Sequence, residues 1–249
     1  MSLVARLKDW RPYRVARHLW LLATSRRYRV AWLIQRENPP NLFQPFTDTE
    51  VDRYPRLFRY ARENLPGGPA VRLLSFGCST GEEVFTLRHY FPEAAIRGID
   101  INRANIKVCQ RKLRRAPDPG IDFLQAGSTQ GEETAAYDAI FCMAVLRNGN
   151  LALPDKDRSD LYIRFEDFAA TVADFDRCLK PGGLLFIVSS SFRFADTPTA
   201  SGFEAALQRQ IKNPSSPRAR MFDEKNREIP GAVYSDTVFR KRGMRSGSR

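Results

Sequence analysis

Residues 73–83 read Leu-Leu-Ser-Phe-Gly-Cys-Ser-Thr-Gly-Glu-Glu, and this stretch decides the fold. A short apolar run, typical of a buried strand, leads into a turn of small residues and then directly into a helical pattern. Gly77 and Gly81 let the backbone approach a ligand closely, and the first amides of the following helix have no partner within that helix. The segment therefore predicts a ligand-binding strand–turn–helix unit.

Outward from this unit, strand-like and helical patterns alternate along the chain. Apolar runs rich in branched and aromatic residues predict strands, and they lie at residues 71–76, 95–101, 121–126, 137–145 and 184–190. Helical patterns lie at residues 48–64, 81–90, 102–115, 165–179 and 202–212, and a further strand is expected at residues 231–240. We expect Pro181-Gly182-Gly183 to end one helix before the fifth strand. Alternation of this kind predicts an α/β fold, with a mostly parallel sheet flanked by helices.

The sequence pattern changes near residue 66, from helical only to alternating strand-like and helical, which suggests that the chain has two parts. Residues 1–66 predict a basic helical arm, interrupted near Pro12, and a linking helix; residues 67–249 form the α/β domain. With 43% apolar residues in a chain of 249, a sizeable core can form.

The net charge of +12 is concentrated at the ends of the chain. Residues 1–36 hold nine Arg or Lys against one Asp, together with Trp10, Trp20 and Trp32. Such interleaving suits an anionic partner: an acidic protein, RNA or a membrane surface. In the alternative interpretation the aromatic side chains pack on the main domain while the arginines stay solvated.

Cysteine usage and hydropathy predict a cytoplasmic protein without a metal. No apolar run approaches the length of a membrane span, and the N-terminal layout differs from that of a signal peptide. The four cysteines form no CxxC pair, and the chain has only two histidines, His18 and His89. A zinc site and a disulfide framework are both disfavoured.

Two ligand chemistries that use a glycine turn are disfavoured by the residues around it. Residues 77–81 satisfy the G-x-S-x-G pattern of a hydrolase, but the only downstream histidine, His89, lies in the adjoining helix and cannot activate Ser79. A dinucleotide site needs a glycine where Ser79 stands. Glu82 and Glu83 in the first helical turn would also repel a diphosphate.

S-adenosylmethionine fits the turn better, because it carries an ammonium, a sulfonium and a ribose but no phosphate. Asp100 ends the next predicted strand, 23 residues after Gly77, and its carboxylate can accept both ribose hydroxyls. In the alternative interpretation Asp100 caps the helix that follows it.

The string at residues 77–83 resembles the cofactor motif of CheR-type chemotaxis-receptor methyltransferases, within the class I S-adenosylmethionine-dependent family. Segments that resemble the same family occur in order at residues 41–46, 98–102, 137–142, 179–186 and 237–241. The resemblance implies a Rossmann-like fold and a methyltransferase. It implies a cofactor site made by Gly77, Cys78, Ser79, Thr80, Gly81, Glu82, Asp100, Ile101, Gln125, Ser128 and Met143.

The sequence departs from that family at places that bear on the acceptor. Met143-Ala144 stand where the family has Arg-Asn, and Phe43 and Thr47 stand where its linking segment carries a threonine and an arginine. Arg147 and Asn148 after the fourth strand are candidates for the catalytic groups. The acceptor, a protein carboxylate or a small molecule, stays unidentified. Two other functions stay open: a non-catalytic module of the same fold, and an RNA methyltransferase that uses the basic arm.

Overall fold

The centre of the molecule is a seven-stranded sheet. The computed structural model describes residues 11–37, 41–47, 49–152, 157–208, 220–232 and 236–243. The strands are β1 Arg72–Phe76, β2 Ala95–Asp100, β3 Ile121–Gln125, β4 Tyr137–Met143, β5 Leu179–Val188, β6 Phe203–Gln208 and β7 Asp236–Lys241. The strand order is β3-β2-β1-β4-β5-β7-β6, and β7 alone runs in the direction opposite to the other six strands. The predicted mostly parallel sheet is confirmed.

Helices cover both faces of the sheet and extend the chain at its N-terminal side. They are α1 Arg11–Thr24, α2 Arg26–Glu37, α3 Pro55–Asn64, α4 Glu82–Tyr90, α5 Arg103–Arg115 and α6 Phe165–Cys178. Short 3-10 turns lie at Gly149–Ala152, Phe194–Asp196 and Pro198–Gly202. No helix in the described ranges has the length and apolarity that a bilayer span requires.

The alternation of side chains along β1 divides the core into two layers. Leu74 and Phe76 face α6, where the Phe76 and Phe175 rings meet edge to face at 4.9 Å. Leu73 points to the opposite face, in the same cluster as Leu87 of α4 and Cys109 of α5. Because β1 is central and buried on both faces, its sequence is apolar apart from Arg72 at its start and Ser75.

The largest differences from the sequence-based expectation lie in three elements. The helix expected from residue 48 begins at Pro55, because proline suits the first helical position and disfavours helical backbone at Tyr54. The fifth strand begins at Leu179 and runs through Pro181-Gly182-Gly183, with an irregular register against β4. The helix predicted at residues 202–212 was wrong over Phe203–Gln208, which form β6; residues 209–212 lie outside the described residues.

Helices α1 and α2 form a hairpin at the N-terminal side. His18 Nδ1 lies 2.9 Å from the Tyr28 hydroxyl, and its ring meets the Trp32 ring edge to face. Arg29 Nη1 donates to the Leu22 and Ala23 carbonyls at the end of α1. These contacts join the two helices through their inner faces.

Candidate functional site

A cavity opens at the carboxyl ends of β1, β2 and β4. β2 and β4 lie on opposite sides of β1, so the strand order reverses at this point. Ligands of open α/β sheets bind at such a switch point. Together with its open mouth, which includes open solvent, the cavity encloses about 670 Å³. Its lining consists of Ile34, Asn41, Phe43, Gln44, Pro45, Phe46, Thr47, Phe76, Gly77, Ser79, Asp100, Ile101, Asn102, Asn105, Ala126, Gly127, Met143, Ala144 and Val145.

The turn after β1 is held against the end of β2. The amides of Gly77 and Cys78 both donate to the Ile99 carbonyl, at 2.7 and 2.9 Å. Gly77 has φ +74°, and a Cβ built on it would lie 2.3 Å from Val145 Cγ2. A side chain at this position would therefore be strained and would collide with the loop after β4.

Ser79 places an unused hydroxyl in the cavity wall. Its backbone has φ +52°, and its amide donates to Asp100 Oδ2 at 2.8 Å. The Oγ atom is buried and finds no hydrogen-bond partner in the described part of the chain. A buried polar atom without a partner costs free energy, so this hydroxyl marks a place where a ligand can supply the missing hydrogen bond.

Asp100 is the only ionisable side chain in the described lining of the cavity. Its Oδ1 accepts from the Asn102 amide at 2.8 Å and from Asn105 Nδ2 at 3.1 Å, while Oδ2 accepts from Ser79. Since a carboxylate can accept about four hydrogen bonds, Oδ2 keeps one position for a ligand. Burial raises the pKa of Asp100 to about 6, against the lowering effect of these three hydrogen bonds.

The acidic residues of the first helical turn point away from the lining. Glu82 Oε1 accepts from Lys112 Nζ at 2.5 Å, and Glu82 Oε2 accepts from Thr80 Oγ1 at 2.6 Å. Burial favours the neutral form of Glu82, but the hydrogen bonds from Lys112 and Thr80 outweigh it and lower its pKa. Lys112 also donates to the Thr80 carbonyl at 2.8 Å, so that it ties the turn to α5. Glu82 thus stabilises the turn rather than facing a ligand.

Glu83 is a second carboxylate, half-buried behind the turn. Ser75 Oγ donates to Glu83 Oε1 at 2.8 Å. Burial raises the pKa of Glu83 to about 8, although Ser75 and Arg53 lower it. Burial also raises the pKa of the Cys142 thiol, and the negative charge of Glu83 adds to that effect. The Cys142 thiol is therefore a neutral packing group, not a nucleophile.

A strap formed by residues 41–47 closes one side of the cavity. Asn148 is buried, and its Nδ2 donates to the Phe43 carbonyl at 2.9 Å, while its Oδ1 accepts from the Asn150 amide at 3.0 Å. The Phe46 ring lies over Gly149, where a Cβ would approach it to 3.2 Å. Asn148, a candidate for the chemistry, is therefore a positioning residue that fixes the strap.

The structure brings together only part of the predicted cofactor site. Gly77, Ser79, Asp100, Ile101 and Met143 line the cavity. The other predicted residues lie outside the lining. They are Cys78, buried in the core; Thr80 and Glu82, bound to Lys112; Gly81, packed below Cys109; and Gln125 and Ser128, at and after the end of β3.

Arg147 lies in a separate small cavity at the ends of β4 and β5. That cavity is lined by Arg147, Asn148, Leu151, Ala152, Ser190, Ser191 and Arg220. Asn148 separates it from the strap. The structure therefore does not bring Arg147 into the main cavity with Asp100.

Sequence reasoning missed several lining residues. Ile34 and Gln44 come from the N-terminal part, and Asn105 comes from α5, where only its hydrogen bond to Asp100 reveals a role. The resemblance did single out Phe43 and Thr47, and both line the cavity. The missing signal is tertiary, because nothing local in residues 34–47 shows that they fold over the end of β1.

Backbone strain also concentrates at this edge of the sheet. Ser79, Ala144 and Ser189 have φ of 52°, 61° and 56°, and they follow β1, β4 and β5. Such conformations are costly for residues with a Cβ and are common at ligand sites. Within the described ranges, no group of three metal-ligating side chains occurs.

The sequence of this region matches a family described as "Methyltransferase domain" over residues 74–185. This match contains β1, the glycine turn, Asp100 and β4, and it agrees with the parallel sheet and its antiparallel β7. Residues 74–185 are thus similar to a methyltransferase domain, within a mostly parallel α/β sheet. S-adenosylmethionine, the methyl donor of such domains, suits a cavity in which Asp100 is the one ionisable side chain among the described lining residues.

Curated relatives match about half of this chain. Trans-aconitate 2-methyltransferase of Acidovorax sp. is 28% identical over 120 residues, which cover 48% of this chain and 38% of that protein. Phthiotriol/phenolphthiotriol dimycocerosates methyltransferase 1 of Mycobacterium ulcerans is 30% identical over 115 residues, which cover 46% of this chain and 35% of that protein. The match thus spans little more than a third of either relative.

A solved structure with a similar core is geranyl diphosphate C-methyltransferase from Streptomyces coelicolor, in complex with Mg²⁺, geranyl diphosphate and S-adenosyl-L-homocysteine. It is 18% identical to this chain. The aligned residues cover 53% of this chain and 43% of that protein, with a TM-score of 0.38.

Proposed function

We propose that this protein is an S-adenosylmethionine-dependent methyltransferase. The observation that carries the proposal is the pairing of Asp100 with the unused Ser79 hydroxyl in one cavity wall. Asp100 Oδ2 would accept from a ribose hydroxyl, and the Ser79 hydroxyl would bond a polar group of the same ligand. The bound cofactor supplies an electrophilic methyl group on a cationic sulfur.

The resemblance of residues 77–83 to the CheR motif supports a CheR-like arrangement of this cofactor site. We favour a carboxylate acceptor, on a small molecule or on a protein. A carboxylate is already a nucleophile at neutral pH, whereas a hydroxyl or amine needs a general base. Asp100, the single ionisable group in the described lining, is already held by three hydrogen bonds. A relative that carries trans-aconitate in its name agrees with an acidic small molecule.

The protein's task in such a transfer is positioning. An in-line displacement needs its two reactants held in one geometry, and the strap supplies a fixed wall beside the turn. Phe43 and Phe46 of the strap, together with Met143, give that side of the cavity an apolar surface. The four cysteines are buried and form no disulfide, and we propose a reducing compartment, the cytoplasm.

Two assays test the proposal. Titration calorimetry with S-adenosylhomocysteine should show one site per chain, and Asp100→Asn should weaken it at least tenfold. Asp122→Asn is the matched control, because it makes the same change on an exposed residue of the neighbouring strand. Incubation with methyl-labelled S-adenosylmethionine and a panel of carboxylic acids should then label at least one of them.

A non-catalytic module is the second candidate, and the cavity gives a reason for it. Met143 and Ala144 line the cavity where the CheR pattern has Arg-Asn. Tight binding of S-adenosylhomocysteine, with no label transferred to any acid or to protein in a cell extract, would favour that candidate. Absence of binding would overturn both.

A further inference from the structure

Helix α1 turns an apolar face to the solvent. Apolar residues at helical spacing form a stripe along this face, and each residue of the stripe is exposed: Pro12, Val15, Ala16, Leu19, Trp20 and Ala23. Tyr13 borders the same stripe. Val15, Leu19 and Trp20 are exposed to 58%, 59% and 62%. A stripe of this width normally faces a protein core, so its exposure indicates a missing partner.

The inner face of α1 is already occupied. His18 contacts Tyr28 and Trp32 of α2, and Arg29 binds the last carbonyls of α1. Turning the apolar stripe inward would break all of these contacts. The outward orientation of the stripe is therefore built into the hairpin.

The hairpin is strongly cationic. Residues 11–37 contain seven arginines, and their single acidic residue is Glu37, at the end of α2. Arg17 is exposed next to the apolar stripe, and Arg36 is exposed beside the Trp32 ring, 5.1 Å from its centre. An apolar face flanked by arginines is complementary to a surface with a negatively charged outer layer and an apolar layer beneath it.

We propose that α1 docks on an anionic lipid membrane and lies in its surface plane. Trp20 and Tyr13 would sit at the headgroup level, Val15 and Leu19 would enter the acyl boundary, and the arginines would meet lipid phosphates. RNA fits this face less well, because aliphatic side chains at its centre offer bases neither stacking nor charge.

Docking in this way would bring the cavity to the membrane. Ile34 of α2 lines the cavity, and α2 is joined to α1 by the contacts of His18. The helix pair that would bind the membrane therefore also contributes to one wall of the ligand site. An acceptor with a lipid-soluble part could pass between the two without crossing bulk water.

Vesicle binding tests the proposal with the full-length protein. We would measure co-sedimentation with vesicles of phosphatidylcholine alone, and of phosphatidylcholine with 30% phosphatidylglycerol. The protein should bind the anionic vesicles at least tenfold more tightly, and Leu19→Glu should weaken that binding at least tenfold. Leu161→Glu is the matched control, since Leu161 is 85% exposed and lies outside the hairpin. This control should bind within twofold of the unchanged protein.

Fluorescence and size measurements separate this partner from others. Brominated lipid should quench tryptophan emission, and Trp20→Phe should remove most of that quenching. Equal binding by the two glutamate variants, or no binding to anionic vesicles, would overturn the proposal. So would a dimer in light scattering that Leu19→Glu dissociates, or single-stranded RNA that displaces the protein from vesicles. Binding of S-adenosylhomocysteine by Leu19→Glu should be unchanged, so this test does not depend on the cofactor site.

Discussion

Cofactor affinity should fall as the pH falls through 6, because the ligand position on Asp100 requires a carboxylate. With a pKa of about 6, Asp100 is half ionised at pH 6 and about one-tenth ionised at pH 5. If only the ionised form binds, the Kd for S-adenosylhomocysteine should double at pH 6 relative to its high-pH value. It should rise about tenfold at pH 5. Measurements between pH 5 and 7 stay below the range in which Glu83 ionises, since its pKa lies at about 8.

Calorimetry at intervals of half a pH unit checks this expectation, with the native state monitored by circular dichroism at each pH. In Asp100→Asn, binding should be weak and nearly independent of pH, because the amide cannot ionise. The control Asp122→Asn should reproduce the tenfold change. A constant Kd for the unchanged protein from pH 5 to 7 would refute the role of Asp100. So would an equal pH dependence in Asp100→Asn.

Three further changes test the turn, the strap and the Glu83 carboxylate. Asn148→Ala removes the hydrogen bond to Phe43 and should raise the calorimetric Kd for S-adenosylhomocysteine about two- to tenfold; an unchanged Kd would mean that the strap needs no anchor. Gly77→Ala should lower the free energy of unfolding in urea by about 2 to 4 kcal/mol, and adding Val145→Ala should recover part of that loss. The pKa of Glu83 rises from 4.5 to about 8 on folding, so folding takes up a proton between these values and stability falls as the pH rises through them. Glu83→Gln should therefore melt at a higher temperature than the unchanged protein at pH 8.5, with the difference shrinking towards pH 5.

The regular part of the fold is readable from the sequence because its signals are local and agree with one another. Each strand from β1 to β4 is a short branched or aromatic run, and each lies within two residues of its expected bounds. Phe203–Gln208 shows the limit of that reasoning. Its glutamate, alanines, leucine and glutamine favour a helix, yet pairing with β7 makes it a strand. Tertiary hydrogen bonds outweighed the local preference.

The candidate site was predictable to the same extent. Asp100 and the glycine turn could be found from the sequence, because the spacing between them is typical of a cofactor site. The strap could not be derived from spacing, because Asn148 and Phe43 are 105 residues apart and neither has a distinctive neighbour pattern. Glu82 lies outside the cavity lining for a physical reason. Its charge is satisfied by Lys112, which the sequence places a helix and a strand away.

The bond between Asn148 and Phe43 has a consequence for how the protein is made. Phe43 is synthesised before β1 and the rest of the sheet. Its hydrogen-bond partner, Asn148, follows 105 residues later. Residues 67–208 can begin to pair as they emerge, but the cavity gains its last wall only when the earliest segment returns to the loop after β4. Asn148 and every described lining residue are nevertheless synthesised before β5, β6 and β7, so the cavity is encoded entirely in the part of the chain that precedes the last three strands of its sheet.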